Sequence, residues 1–315
     1  DLLKSNKAST PNTESDWTFL HFCTYYNNLK LMEELLIEEK YQNSINKRSK
    51  WGRTALDIVI EQYTEEEDRE LPSIKKEIVA LLIEKGALIF QEKDGWTHLH
   101  AIAMDDDTAG IMEILLQRTG KSSLIDARDH LGQTPLHKAA SFNRIKSIQL
   151  LIKYGADIYA QDHKKWTPLH CAITGWRHTK SMEELLKEMV KENLPEKQLI
   201  AHINAQTIRG TSPLHIATEC GKIESVKLLI QYGADIYAQD HKKWTPFHYA
   251  AMHGPSIMQE LLNEMERENL PPKQRIAYIN AQTKDGFTPS QIARQHKQEE
   301  TLKLLHKYLA VLSER

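Results

Sequence analysis

The residues of this sequence best equipped for chemistry are its 15 histidines and three cysteines. Histidine exchanges protons near neutral pH and ligates metals, and a cysteine attacks as its thiolate. Six of the histidines, His21, His100, His137, His170, His215 and His248, each stand three residues after a Thr or Ser. They belong to a recurring phrase rather than to one cluster. No His-Glu-x-x-His segment, Cys/His cluster or three-ligand spacing suits zinc. Asp105-Asp106-Asp107 lacks the spacing and glycine of a calcium loop and reads as a helix N-cap in a solvated turn. No Gly-x-Ser-x-Gly nucleophile turn, phosphate-cradling loop or glycine-rich dinucleotide turn is present. Cys171 directly follows one of the six histidines, but no neighbour in sequence would activate it. Cys23 and Cys220 read as inert. The expectation is a chain without catalytic residues, metal or cofactor.

The remaining candidates are surface groups on elements that must be located first. The chain has 315 residues, 40% of them hydrophobic, and its 41 basic against 43 acidic residues leave a net charge of -2. That balance offers no general field for nucleic acid or an anionic membrane. Three widely separated cysteines make no disulfide framework and fit a reducing, cytoplasmic setting. No apolar run approaches the ~18 residues of a membrane span. The chain starts at Asp1 rather than Met, as a segment of a longer protein would.

Internal repetition sets the architecture. YGADIYAQDHKKWTP begins at Tyr154 and again at Tyr232, 78 residues later; ENLPEKQLIAHINAQT from Glu192 returns as ENLPPKQRIAYINAQT from Glu268, 76 later. Inside this duplication Thr134, Thr167, Ser212 and Thr245 share one repeat position, with gaps of 33, 45 and 33. Each opens a short helix, with Thr or Ser as N-cap and proline at the first helical position. A second helix with an apolar stripe follows, as in Met182 to Leu186. Gly155 and Gly233 stop the preceding helices. No pair buries its apolar face alone, so stacked neighbours supply the core.

The unit resembles the ankyrin repeat in its lines TPLHKAA at Thr134, TPLHCAI at Thr167, SPLHIAT at Ser212 and TPFHYAA at Thr245. Degenerate copies are DWTFLHF at Asp16, GRTALDI at Gly52, GWTHLHA at Gly95 and GFTPSQI at Gly286. The resemblance implies an all-α ankyrin-repeat solenoid of about eight helix-turn-helix units with short β-hairpin fingers. It also implies that the motif histidine hydrogen-bonds adjacent fingers together. The expected organisation is a polar arm over 1–15 and a repeat domain over 16–315. Units run near 16–50, 51–93, 94–130, 131–163, 164–207, 208–241, 242–283 and 284–315. Two units carry ENLP inserts, with proline breaking the second helix and a short further helix from about Glu196 to Ala201. A third insert, Thr64 to Pro72, carries Glu65, Glu66, Glu67 and Asp68.

In proteins of this family the fingers and first helices form one concave face, so the resemblance implies a non-catalytic scaffold that binds a partner protein there. The candidate contact residues are Trp96, Gln133, His163, Lys164, Trp166, Cys171, Arg209, His241, Lys242, Trp244 and Tyr249. The tryptophans either anchor a partner, with little role in stability, or cover the neighbouring loop. Lys164, Lys165, Lys242 and Lys243 favour an acidic stretch on the partner. A monomer that binds no nucleic acid is expected. Lysine outnumbers arginine 29 to 12, and near-identical duplicated units fit an effector that an intracellular bacterium delivers into host cytosol. The competing reading is a substrate-targeting arm of a larger enzyme.

Overall fold

The structure, a computed structural model, describes residues 16–65, 72–89, 94–119, 124–175 and 179–314. The expected polar arm and most of the acidic insert (Glu66, Glu67, Asp68) lie outside the described residues.

Every occurrence of the repeat phrase becomes a short inner helix followed by a second, outer helix. The four regular phrases give inner helices Pro135–Ser141, Pro168–Thr174, Pro213–Glu219 and Pro246–Ala250, each with proline in its first turn. Their outer partners are Ile145–Lys153, Lys180–Lys191, Ile223–Gln231 and Pro255–Arg267. Degenerate phrases do the same: Phe19–Tyr25 with Leu29–Leu35, Ala55–Glu65 with Pro72–Glu84, His98–Ile102 with Ala109–Thr119, and Pro289–Gln295 with Glu299–Ser313. Inner helices stack on inner helices and outer on outer. Leu136, Leu169, Leu214 and Phe247 share one repeat position and are all buried.

In five units the motif histidine fixes its inner helix to the next unit. His137 Nδ1 accepts the N–H of Thr134 at 3.1 Å, so this nitrogen carries no proton. The ring therefore holds its proton on Nε2, which donates to the carbonyl of Trp166 at 2.9 Å. The same geometry links His21 to Arg53, His100 to Gln133, His215 to Trp244 and His248 to Ala281 and Phe287. Burial lowers the pKa of all six histidines, and it brings His170 to about 4. At the far end of the inner helices, Lys222 Nζ donates to the carbonyls of Ile173 (2.6 Å) and Gly175 (2.7 Å), and Arg144 Nε donates to Met104 (2.7 Å). These cations satisfy orphan carbonyls at a negative helix end.

The two ENLP inserts form the extra helices Glu196–Ile203 and Pro272–Ile279. Each lays a ring on a tyrosine of the unit before it: His202 on Tyr159 at 3.7 Å and Tyr278 on Tyr237 at 4.0 Å. Buried Arg275 pairs with Glu266 at 2.7 Å, and Tyr308 of the last helix donates to the same carboxylate. The inserts thus brace the stack. Asp105 accepts from the backbone of Asp107, and Asp106 accepts from Lys146 and Ser147, so the aspartate run caps two helix starts.

Two outcomes follow. Each motif histidine is neutral when folded and regains ordinary proton affinity when unfolded, so the unfolded chain takes up more protons below pH 6.5. Stability is then complete above that pH and declines as the pH falls toward the folded value, by up to ~3 kcal/mol for His170 alone. The thermal midpoint should drop by several degrees between pH 7 and pH 5; a flat profile would refute the neutral assignment. Second, Lys165 and Lys243 have φ of 58° and 59°, a left-handed conformation that costs a side chain ~1–2 kcal/mol. Glycine at either site should raise stability by about 0.5–1 kcal/mol, measured by denaturant unfolding, after its larger unfolded-state entropy is allowed for.

Candidate functional site

Each finger is a five-residue turn. In the fifth unit the Asp162 N–H donates to the Trp166 carbonyl at 2.8 Å and the Lys165 N–H donates to the Asp162 carbonyl at 2.9 Å. The pairs Asp129–Gln133, Thr207–Thr211, Asp240–Trp244 and Thr283–Phe287 repeat the outer bond. Among the described residues the fingers are too short to extend into strands; they are β-turns closed by a left-handed residue. Where the first residue is Asp, its carboxylate locks the loop: Asp162 Oδ1 accepts from the backbones of Lys164 and Trp166, both at 2.8 Å, and Asp240 does so from Lys242 and Trp244. These acids are buried and spent inward.

The fingers are also bonded to one another. His163 N–H donates to the Leu131 carbonyl, Ile208 to Lys164, His241 to Arg209 and Lys284 to Lys242, all at 2.9–3.0 Å. Five fingers thereby form one continuous backbone ladder. Gly132 and Gly210 permit its close approach: an added Cβ would stand 2.8 Å from the backbone nitrogen of His163 or His241 and still nearer the ring.

The candidate contact residues divide into three groups. Lys164, Arg209 and Lys242 are exposed at the finger tips. His163 and His241 are exposed too, yet their rings lie over Gly132 and Gly210. Trp96, Gln133, Trp166 and Trp244 are half-buried. Trp166 and Trp244 pack on the core beside His170 and His248, with centroids 5.8 and 5.9 Å apart. Trp96 stacks on His100 at 5.1 Å. Gln133 is held between Asp162 (3.3 Å) and Lys138 (2.7 Å). Of the two readings left open for the tryptophans, core packing of Trp166 and Trp244 favours the one in which they cover the neighbouring structure.

Cys171 and Tyr249 are not surface groups. They are 4% and 8% exposed. The Cys171 side chain is too short to emerge between its neighbours, and burial, aided by the charge of Asp162, pushes its thiol up to about 12, away from the reactive thiolate. The Tyr249 hydroxyl is long enough to reach back and donate to Asp240 Oδ2 at 3.0 Å, so it braces the finger. Burial and that carboxylate raise its pKa.

Sequence reasoning missed three features. Lys138 shares the repeat position of Cys171, Ile216 and Tyr249, yet its ammonium reaches the finger, 2.7 Å from buried Asp129 and 5.3 Å from the Trp96 ring centroid, with its side chain 12% exposed. Aligning that column would have raised it. The tip residues Leu131 and Ile208 are 44% and 51% exposed, and their register in the ladder was the missing signal. In the second unit Asp57 takes the motif histidine's place, accepting from the N–H and hydroxyl of Thr54 at 2.6 and 2.8 Å. A carboxylate cannot donate to the next finger's carbonyl; it pairs with His98, which replaces the next unit's proline. The partners hold its acid below the usual range against the opposing effect of burial. No single column reveals this exchange.

Among the described residues no group of three His, Cys, Asp or Glu side chains converges as a metal site, and no helix is long and apolar enough to cross a membrane. The cleft lined by Asp57, Glu61, Trp96 and His98 is small. What the arrangement supplies is a preformed row of side chains on a hydrogen-bonded frame.

A family model described as ankyrin repeats (3 copies) matches residues 73–162, 126–196, 160–240 and 187–270. Similar proteins include transient receptor potential cation channel subfamily A member 1 of Homo sapiens, 26% identical over 239 residues, which are 75% of this chain and 19% of that protein. The nuclear factor NF-kappa-B p105 subunit of Gallus gallus is 27% identical over 67% of this chain and 19% of its own length. Rabankyrin-5 of Mus musculus is 31% identical over 53% of this chain and 13% of its own. The chain thus spans about a fifth or less of these relatives. A match from 73 to 270 that follows the same helix pairs and histidine-linked fingers leaves one reading: the chain belongs to the ankyrin-repeat family.

Proposed function

We propose that this chain is a non-catalytic scaffold whose finger tips and inner helices bind a partner protein bearing an acidic segment. Ankyrin repeats are protein–protein interaction modules. The observation that carries the finer reading is the row Lys164, Lys165, Arg209, Lys242 and Lys243 on three successive, backbone-linked fingers. The four lysine ammonium groups make no ion pair or hydrogen bond among the described residues. The Arg209 guanidinium lies 3.9 Å from Glu219. A frame already fixed by hydrogen bonds loses little entropy on docking, and a stack of eight units easily offers the ~800 Å² per partner of a standard interface. Exposed charges of this kind raise association rate and selectivity more than they raise affinity.

The three cysteines are free thiols, which supports action in a reducing cytoplasm. The lysine-rich composition and recent duplication support delivery into a host cell as an effector, and a translocation reporter fused to the full-length protein tests that step. A reporter that never reaches host cytosol would contradict it.

Three variants test the binding face. Lys164→Glu, Arg209→Glu and Lys242→Glu together should leave unfolding free energy nearly unchanged, each change lying within about ±0.5 kcal/mol. They should abolish capture of the partner that the wild-type chain retains from cytosol. Lys146→Glu with Lys187→Glu on the outer helices should leave capture intact. Equal loss from both sets would exclude the assigned face. Trp166→Ala with Trp244→Ala should weaken capture and also lower the thermal midpoint, by several degrees; an unchanged midpoint would show that the rings serve recognition alone.

A further inference from the structure

Resting on that reading of the face, we infer that the finger tips recognise an extended peptide segment with acidic residues at three-residue intervals. Aligned by their left-handed residue, the five linked fingers carry at the preceding position Leu131, Lys164, Arg209, Lys242 and Asp285. The row is apolar at one end, cationic over three consecutive fingers, and closed by an acid at the other. At the left-handed position itself stand Gly132, Lys165, Gly210, Lys243 and Gly286. Lysine thus doubles the charge on the two outer cationic fingers.

Those two lysines are the observation that favours recognition over chance. Seven non-glycine residues adopt positive φ among the described residues: four asparagines, which tolerate that region, Lys297 after the last inner helix, and the two finger lysines. Lys165 and Lys243 hold it on exposed finger tips where three other fingers use glycine. A lysine there is strained in the folded state, and strain kept at an exposed site points to use. The acids of the same fingers, Asp162 and Asp240, are buried in their own turns and do not neutralise the row.

The spacing follows from packing. Adjacent inner helices lie side by side, and packed helices are about 8–10 Å apart. An extended polyproline II chain rises about 3.1 Å per residue and brings every third side chain to the same face, so one finger corresponds to about three ligand residues. Acidic residues at positions i, i+3 and i+6 then meet Lys164 and Lys165, Arg209, and Lys242 and Lys243 in turn. Like charges at that density keep a segment extended before it binds. The ladder carbonyls of Leu131, Lys164, Arg209 and Lys242 are already occupied, so recognition runs through side chains and not through an added strand. Exposed Leu131 receives an apolar residue beyond the acidic run, while Asp285 repels an acidic continuation at the opposite end. Exposed Ile208 lies midway and contacts the ligand's aliphatic stems.

The test is fluorescence anisotropy of the full chain with synthetic 12-residue peptides. One carries Glu at positions 3, 6 and 9 and Leu at 12. A second has the same composition with the three Glu contiguous. A uridine oligonucleotide of equal charge is the third probe. The spaced peptide should bind about tenfold more tightly than the contiguous one, and its affinity should fall as salt rises. Arg209→Glu should erase the difference with the thermal midpoint unchanged. Lys165→Gly with Lys243→Gly should weaken the spaced peptide several-fold while raising stability. Equal affinity for the two peptides, or preference for the oligonucleotide, overturns the inference. If the peptides fail to discriminate but tip charge reversal still abolishes partner capture, only the register is wrong. If capture survives that reversal, the binding face itself is wrong.

Discussion

A neutral imidazole with its proton on Nε2 is the interaction on which this structure depends. The ring accepts from the N-cap of its own helix and donates to a carbonyl of the next finger, so one side chain fixes helix start, finger position and unit spacing together. Only a group with one acceptor and one donor on opposite sides can do this. Protonation would remove the acceptor that receives the Thr or Ser N–H and place a charge in a buried site. The second unit shows the constraint by its exception: with Asp57 in the histidine's place, the link reverses direction and requires His98 as its complement.

From that linkage the character of the surface follows. Carbonyls of Trp166 and Trp244 are held by His137 and His215, which orients the finger residues before them. Asp162 and Asp240 turn inward to lock the loops, and the backbone ladder consumes the peptide groups between fingers. Only side chains are left at the tips. In the duplicated fingers these are lysines, two of them in strained backbone, so the stack exchanges a little stability for an organised cationic row.

Much of the fold was legible because the repeat places the same residue type at the same structural task. Thr134, Thr167, Ser212 and Thr245 announce the helix starts, and Pro195 and Pro271 announce the breaks that give Glu196–Ile203 and Pro272–Ile279. The site was legible only at its tips. Cys171, Tyr249 and Lys138 share one column and have three fates, because side-chain length decides whether a group stops beneath the surface, reaches back to Asp240 or reaches across to Asp129 and Trp96. Tryptophan in Trp166 and Trp244 is ambiguous for a related reason: a ring large enough to anchor a partner is also large enough to pack on the core.

Amide hydrogen exchange of the full chain, alone and with the partner it captures, tests the central claim most directly. The account predicts that added protection concentrates in the finger segments 162–166, 207–211 and 240–244 and in the inner helices that follow them. Protection confined to the outer helices, such as Ile145–Lys153 and Ile223–Gln231, would contradict it.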